Sequence, residues 1–168
     1  MPTITHFHIR IETSADLAGI RSVEMQAFPT HAEADLVDRL REDGDSVLSL
    51  VAILDCEVIG HAMFSRMQAP RDSLGLGPVA VLSAHRRRGV AAALIREGMS
   101  RAKASGWAAI FVLGDPAYYG RFGFSPALAA GFTSPFAGQH LMGFELQSDG
   151  LKSRTNALSY PRAFAGLG

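Results

Sequence analysis

Three consecutive arginines followed by glycine, Arg86-Arg87-Arg88-Gly89, and then Val90-Ala91-Ala92, form the stretch of this chain best suited to holding a charged ligand. The run stands between an apolar strand pattern and a long helix pattern, so its main chain must turn where a helix begins. A helix start leaves backbone N–H groups without intrahelical acceptors and carries partial positive charge. Gly89 lets the main chain approach a ligand closely, and the three guanidinium groups add charge, so the stretch reads as a phosphate cradle. An arginine triplet in other surroundings is usually a solvated corner. The strand before it and the helix after it change that reading.

Other motifs fail on context. Gly75-Leu76-Gly77-Pro78-Val79-Ala80 satisfies the G-x-G-x-x-A spelling of a dinucleotide site, yet it lies within a strand pattern and does not open a helix. His6 and His8 share a strand face with no third ligand nearby in sequence, and the single cysteine, Cys56, excludes a thiol-rich zinc site. No metal is expected. The chain has neither a G-x-x-x-x-G-K-[ST] loop nor a serine in a G-x-S-x-G elbow, which excludes P-loop hydrolases and the usual α/β-hydrolases.

The elements that must position the cradle follow from periodicity. Phe7, Ile9 and Ile11 alternate with polar residues as in a half-buried strand. Thr13 to Asp16 then offers capping groups for a helix with Leu17, Ile20, Val23 and Ala27 on one face. Pro29 ends that helix, and Glu33 to Glu42 forms a second, with Leu36, Val37 and Leu40 together. Val47 to Leu54 and Val58 to Met67 are strand-like runs joined by Asp55-Cys56-Glu57, which predicts a hairpin.

Leu74 to Leu82 reads as a further strand, made irregular by Gly77-Pro78, where proline implies a bulge or a lost neighbour. Arg88 to Ala104 is helix-forming, and Trp107 to Leu113 is an apolar run of strand length, so the segment from Val79 predicts a right-handed β-α-β crossover. Asp115-Pro116 caps a short helix over Ala117 to Phe122. Leu128 to Gln139 reads as a loop, Leu141 to Leu146 as a strand, and the tail from Lys152 to Gly168 as a segment anchored by Tyr160 and Phe164.

Set in that frame, Gly77-Pro78-Val79-Ala80-Val81 followed by Arg86-Arg87-Arg88-Gly89-Val90-Ala91-Ala92-Ala93-Leu94-Ile95 resembles the acyl-CoA signature of the GNAT N-acetyltransferases, Q/R-x-x-G-x-G/A. Tyr119-Gly120-Arg121-Phe122-Gly123-Phe124 is similar to that family's second landmark, a tyrosine on a short helix before a Gly-Phe turn. The likeness is strongest over Val79 to Phe124. The run from Leu113 to Phe124 resembles a bacterial branch of mostly uncharacterised acetyltransferases.

The resemblance implies an α/β fold with a mixed, splayed central sheet flanked by helices in the order β-α-α-β-β-β-α-β-α-β. It implies an acyl-CoA-dependent N-acyltransferase, with acetyl-CoA as donor and a primary amine of a small molecule or peptide as acceptor. The backbone of Val79, Ala80 and Val81 would bind the pantetheine arm as an added strand, and the N–H groups of Arg87 to Ala92 would hold the pyrophosphate beside Arg86 and Arg88. Tyr119 matches the tyrosine that protonates the departing thiolate, and an N–H near Val81 would stabilise an oxyanion.

Two departures stand out. The family's asparagine before the tyrosine helix is replaced by Gly114-Asp115, and Leu74 to Leu82 carries no carboxylate to serve as general base. Glu24 and His61, whose elements border the acceptor cleft in this fold, are the candidate bases, with a water chain, or a partly neutral amine that needs no dedicated base, as the alternatives. Phe28, Phe132 and Phe136 lie in the segments expected to wall that cleft, and loop anchoring is the alternative role for each. A non-catalytic acyl-CoA-binding regulatory module is the competing reading.

The 168 residues are 48% hydrophobic and 19% charged, which suits one domain over residues 1–168. Sixteen basic residues balance sixteen acidic ones, with a pI near 7.0, so no whole-protein field attracts nucleic acid or an acidic membrane. No apolar run approaches the ~20 residues needed to cross a bilayer. The lone cysteine and the absence of a signal-peptide pattern lead to the expectation of a cytoplasmic protein, monomeric or homodimeric.

Overall fold

The computed structural model describes residues 6–151 and 157–167; the first part of the tail and the extreme termini lie outside them. A six-stranded sheet runs in the order β1 (His8–Ile11), β2 (Ser46–Leu54), β3 (Glu57–Arg66), β4 (Ser73–Val81), β5 (Ala109–Leu113) and β6 (Leu141–Glu145). Every neighbouring pair is antiparallel except β4 and β5, which are parallel and joined through α3 (Val90–Ala104). This is the mixed α/β architecture expected.

Both faces of the sheet are covered, which explains why β2 is apolar nearly throughout. Leu50 and Ala52 pack with Ala62, Phe64 and the α3 residues Leu94 and Ile95. Val51, Ile53 and Met63 point the other way, against Ile20 of α1 (Leu17–Ala27) and Leu36, Val37 and Leu40 of α2 (Ala32–Glu42). The period-two alternation thus divides one continuous apolar strand between two helical layers.

Local chemistry fixes the joints. Arg10 grips the Asp16 carboxylate with two nitrogens at 2.6 and 3.0 Å, and the Thr13 N–H donates to it at 2.7 Å. Those bonds, led by the one from Arg10, hold the Asp16 carboxyl at about 2, and they anchor the turn that launches α1. Asp55 and Cys56 adopt left-handed conformations between Leu54 and Glu57, which closes the β2–β3 hairpin in two residues.

One short element escapes the sequence reading. Pro126–Ala129, partly inside the expected loop, forms a helical turn, α5, whose N-cap Ser125 accepts from the Ala127 N–H at 3.2 Å. Its serine-proline start repeats the aspartate-proline start of α4 (Pro116–Tyr119), which continues as a 3₁₀ turn over Gly120–Phe122. In the tail, Tyr160 and Phe164 pack beside Phe111 and Leu141, so both are anchors as expected.

Candidate active site

The site begins where β4 leaves β5. Their parallel pairing runs only from Ser73 opposite Ala109 to Leu76 opposite Val112, and it stops at Gly77-Pro78. On the other side of β4, Ala62 pairs with Val79 and Phe64 with Leu76, so three steps on β4 match two on β3. Gly77-Pro78 is therefore both a bulge and the end of a ladder.

The Leu82 N–H bonds to Ile59 of β3 at 2.9 Å, and by alternation Ala80 also turns its peptide groups towards β3. Val79 and Val81 turn theirs to the opposite side, into the gap that β5 has vacated. This corrects one expectation: the backbone of Ala80 is spent within the sheet. The Val81 carbonyl accepts from Arg86 Nε at 3.3 Å, which draws that guanidinium across the mouth of the gap.

The cradle lies at the same end. The first intrahelical bond of α3 runs from Ala93 N–H to the Gly89 carbonyl, leaving the N–H groups before it for a ligand. Arg87 and Gly89 both have positive φ, 64° and 79°, and no carboxylate stands in the helix's first turn. A Cβ built on Gly89 meets nothing within 4 Å, so glycine serves backbone conformation and open space there, not packing.

The resulting concavity, about 320 Å³, is lined by Val81, Arg86, Arg87, Gly89, Val90, Ala91 and Ala92. Arg88 is exposed and outside this lining. Sequence reasoning missed three further members, His85, Tyr118 and Arg121; the Arg121 guanidinium lies 4.9 Å over the Tyr118 ring and adds a cation from the far wall.

A second cavity of about 360 Å³ opens beside the splay. Phe28, Glu33 and Leu36 form one wall, Leu76 to Val79 the floor, Leu113 and Tyr119 the far side, and Phe136, Tyr160 and Phe164 the remainder. Tyr119 reaches it because Asp115 caps α4 by accepting from Ala117 N–H at 3.0 Å. Its ring lies directly on Gly114, where any side chain would strike it, so glycine in place of the family's asparagine makes room for the tyrosine. Burial, with a smaller contribution from Tyr118, pushes the Tyr119 hydroxyl up to about 12, away from the ordinary phenol value assumed from sequence.

The two candidate bases meet each other. His61 Nδ1 and Glu24 Oε1 share a hydrogen bond of 2.7 Å, and His61 Nε2 and Ser49 Oγ another of 2.8 Å. Glu24 and His61 are both 0% exposed and neither lines the cleft. Burial lifts the Glu24 carboxyl above its ordinary range, His61 pulls it partly back, and the charge of Glu33 raises it further. The pair ties α1 to the sheet, and Glu24 lies close enough to the cleft residue Glu33 to feel its charge.

Among the three phenylalanines, Phe28 and Phe136 line the cleft. Phe132 does not: its ring meets Phe111 edge-on at 5.3 Å and anchors its loop to the core. The carboxylate that does reach the cleft is Glu33, which the sequence showed only as the first acid of a helix.

Residues 17–124 match the family model described as the Acetyltransferase (GNAT) family, and the chain belongs to that family. Its class is that of an N-acetyltransferase, for which acetyl-CoA is the donor. It is 42% identical over 123 residues to the uncharacterized N-acetyltransferase YhbS of Escherichia coli K12, covering 71% of this chain and 74% of that protein. It is 36% identical over 143 residues to the uncharacterized N-acetyltransferase YjhQ of the same organism, covering 80% and 78%.

The crystal structure of Escherichia coli YhbS in complex with CoA superposes with a TM-score of 0.92 at 34% identity, covering 100% of this chain and 97% of that one. A GNAT family acetyltransferase from Brucella melitensis, in complex with acetyl-CoA, gives 0.78 at 32% identity, covering 95% and 99%. Among the described residues no helix is long and apolar enough to cross a membrane.

Proposed function

We propose that this chain transfers an acetyl group from acetyl-CoA directly to a primary amine, with no covalent enzyme intermediate. The observation that carries the proposal is the loss of β4–β5 pairing after Leu76. It frees the peptide groups of Val79 and Val81 along a gap that has an anion cradle at one end and Tyr119 at the other. These residues fit an acyl-CoA: Arg87 to Ala92 supply N–H groups for the pyrophosphate, Arg86, Arg87 and Arg121 supply charge, and Val79 and Val81 accept and donate along the arm.

When bound, the thioester supplies an activated acyl group. The chain's task is then to orient it, exclude water and manage two protons. The free N–H of Val81 offers a donor where negative charge develops on the carbonyl oxygen. Tyr119 is protonated at neutral pH. Full proton transfer from a phenol at about 12 to a thiolate of ordinary pKa near 8.5 is uphill, so its hydroxyl contributes a hydrogen bond that strengthens as charge gathers on sulfur.

Incubation of the protein with acetyl-CoA and a set of primary amines tests the proposal, with thiol release and the mass of the product as readouts. Amine-dependent release of one thiol per acetylated product is expected. Tight acetyl-CoA binding without turnover of any amine would leave the regulatory module as the better reading.

A further inference from the structure

Two polar atoms of the cleft stand without partners. Glu33 lines it, and Glu33 Oε2 is buried with no hydrogen bond. Tyr160 lines it too, is 7% exposed, and its hydroxyl is equally unpartnered. Nearby acids are differently placed: Asp35 and Asp38 bind Arg21, and Glu12 binds Arg41. Among the described residues no ion pair involves Glu33, and the cleft lining contains no lysine, arginine or histidine. A buried, unpaired carboxylate and hydroxyl are costly unless a ligand completes them.

The ring of Tyr160 is held in place from several sides. It lies against Gly75 of β4, meets Phe136 edge-on at 5.6 Å, and packs with Phe164 at 4.9 Å. Glu33 is held in the first turn of α2, the favourable end for negative charge. Both groups are thus on fixed supports, and the rest of the lining, Phe28, Leu36 and Phe136 among others, is largely apolar.

Resting on the transferase reading above, we propose that the acceptor is a small monoamine with an aromatic or aliphatic body, and that Glu33 and Tyr160 receive its ammonium group. A primary ammonium has three donors, which suits one carboxylate oxygen and one phenol oxygen, and its body fills the apolar walls. A free amino acid fits poorly, because its own carboxylate would face Glu33 and find no cation in the lining. A polyamine fits poorly as well, since its further ammonium groups would lie against phenyl and aliphatic surface.

The chemistry balances. The ammonium first gives one proton to solvent past Glu33, and the exposed electron pair attacks the thioester carbon. As the C–N bond forms and the C–S bond breaks, nitrogen loses a second proton to solvent. Sulfur leaves as a thiolate held by the Tyr119 hydroxyl and takes one proton from solvent, so the net products are the amide, the free thiol and one proton.

The test compares phenethylamine, free phenylalanine, hexylamine, spermidine and a short peptide as acceptors, in the native protein and in Glu33→Gln. Phenethylamine and phenylalanine differ only by a carboxylate. The native protein should favour the former by about 10²-fold or more in kcat/KM. Glu33→Gln should lose about 10- to 100-fold for phenethylamine, mainly in KM, and should narrow the preference over phenylalanine. Acetyl-CoA affinity should stay unchanged and the thermal midpoint of the free protein should hold or rise, so a loss of turnover cannot come from a merely structural effect.

Preference for phenylalanine, spermidine or the peptide overturns this inference while the transferase reading stands. So does a Glu33→Gln variant with native kinetics on phenethylamine. Absence of turnover with all five, although acetyl-CoA binds, overturns both.

Discussion

Replacing Gly89 by alanine places a methyl group at the opening of the α3 cradle. In the free protein the cost is confined to backbone conformation. An L residue at φ 79° is disfavoured by about 1–2 kcal/mol, and the new Cβ meets nothing within 4 Å, so no packing penalty is added. For a chain of this size that loss lowers the thermal midpoint by about 2–8 °C and leaves the protein folded.

In the liganded protein the same methyl group stands beside the N–H groups that precede the first intrahelical bond, where a phosphate must come close. Charge-assisted hydrogen bonds of this kind contribute about 1.5–3 kcal/mol each. Loss of one or two of them weakens acetyl-CoA binding by roughly 10²-fold or more. Titration calorimetry reads this directly, with Arg87→Ala as the comparison, whose smaller loss should shrink as salt is added. A folded Gly89→Ala protein with native acetyl-CoA affinity would refute the placement of the pyrophosphate at α3.

Further outcomes follow from the surrounding contacts. Phe136→Ala should change the ranking of amine acceptors in kcat/KM, whereas Phe132→Ala, which loses the ring contact to Phe111, should lower the thermal midpoint and leave that ranking intact; parallel kinetics and melting curves separate them. His61→Ala strips a buried carboxylate of its hydrogen bond and should cost about 2–5 kcal/mol in denaturant unfolding, while Glu24→Gln, which keeps a hydrogen-bonding oxygen, should cost less. A large loss of turnover in Glu24→Gln at native stability and native acetyl-CoA affinity would restore this pair as the base.

The parts of the site that depend on chain-local rules were legible in the sequence. Gly77-Pro78 interrupts a strand by removing a donor, and the structure places a bulge and a ladder end there. Arg86 to Gly89 opens a helix, so its orphan N–H groups were readable from periodicity alone. The parts set by packing between distant elements were hidden.

Glu33 looked like Asp35, another acid in the first turn of α2; only the placement of α2 beside the end of β4 gives one of them to the cleft and the other to Arg21. Glu24 and His61 are 37 residues apart, yet a signal existed: Glu24 falls on the apolar stripe of α1 with Ile20 and Val23, where a carboxylate needs a buried partner. Phe132 and Phe136 share one irregular segment with no periodicity to say which ring faces inward. The helical turn of α5 was marked by Ser125-Pro126, the same capping chemistry that identified α4.

The most direct test of the central claim is the turnover of Tyr119→Phe set against its acetyl-CoA affinity. The substitution keeps the ring that packs on Gly114 and removes the one hydroxyl placed to stabilise a departing thiolate. Amine-dependent thiol release should fall by roughly 10²-fold, with acetyl-CoA affinity by calorimetry unchanged. Native turnover in Tyr119→Phe would contradict the role assigned to its hydroxyl. A fall in turnover matched by an equal fall in acetyl-CoA affinity would make Tyr119 a binding residue only.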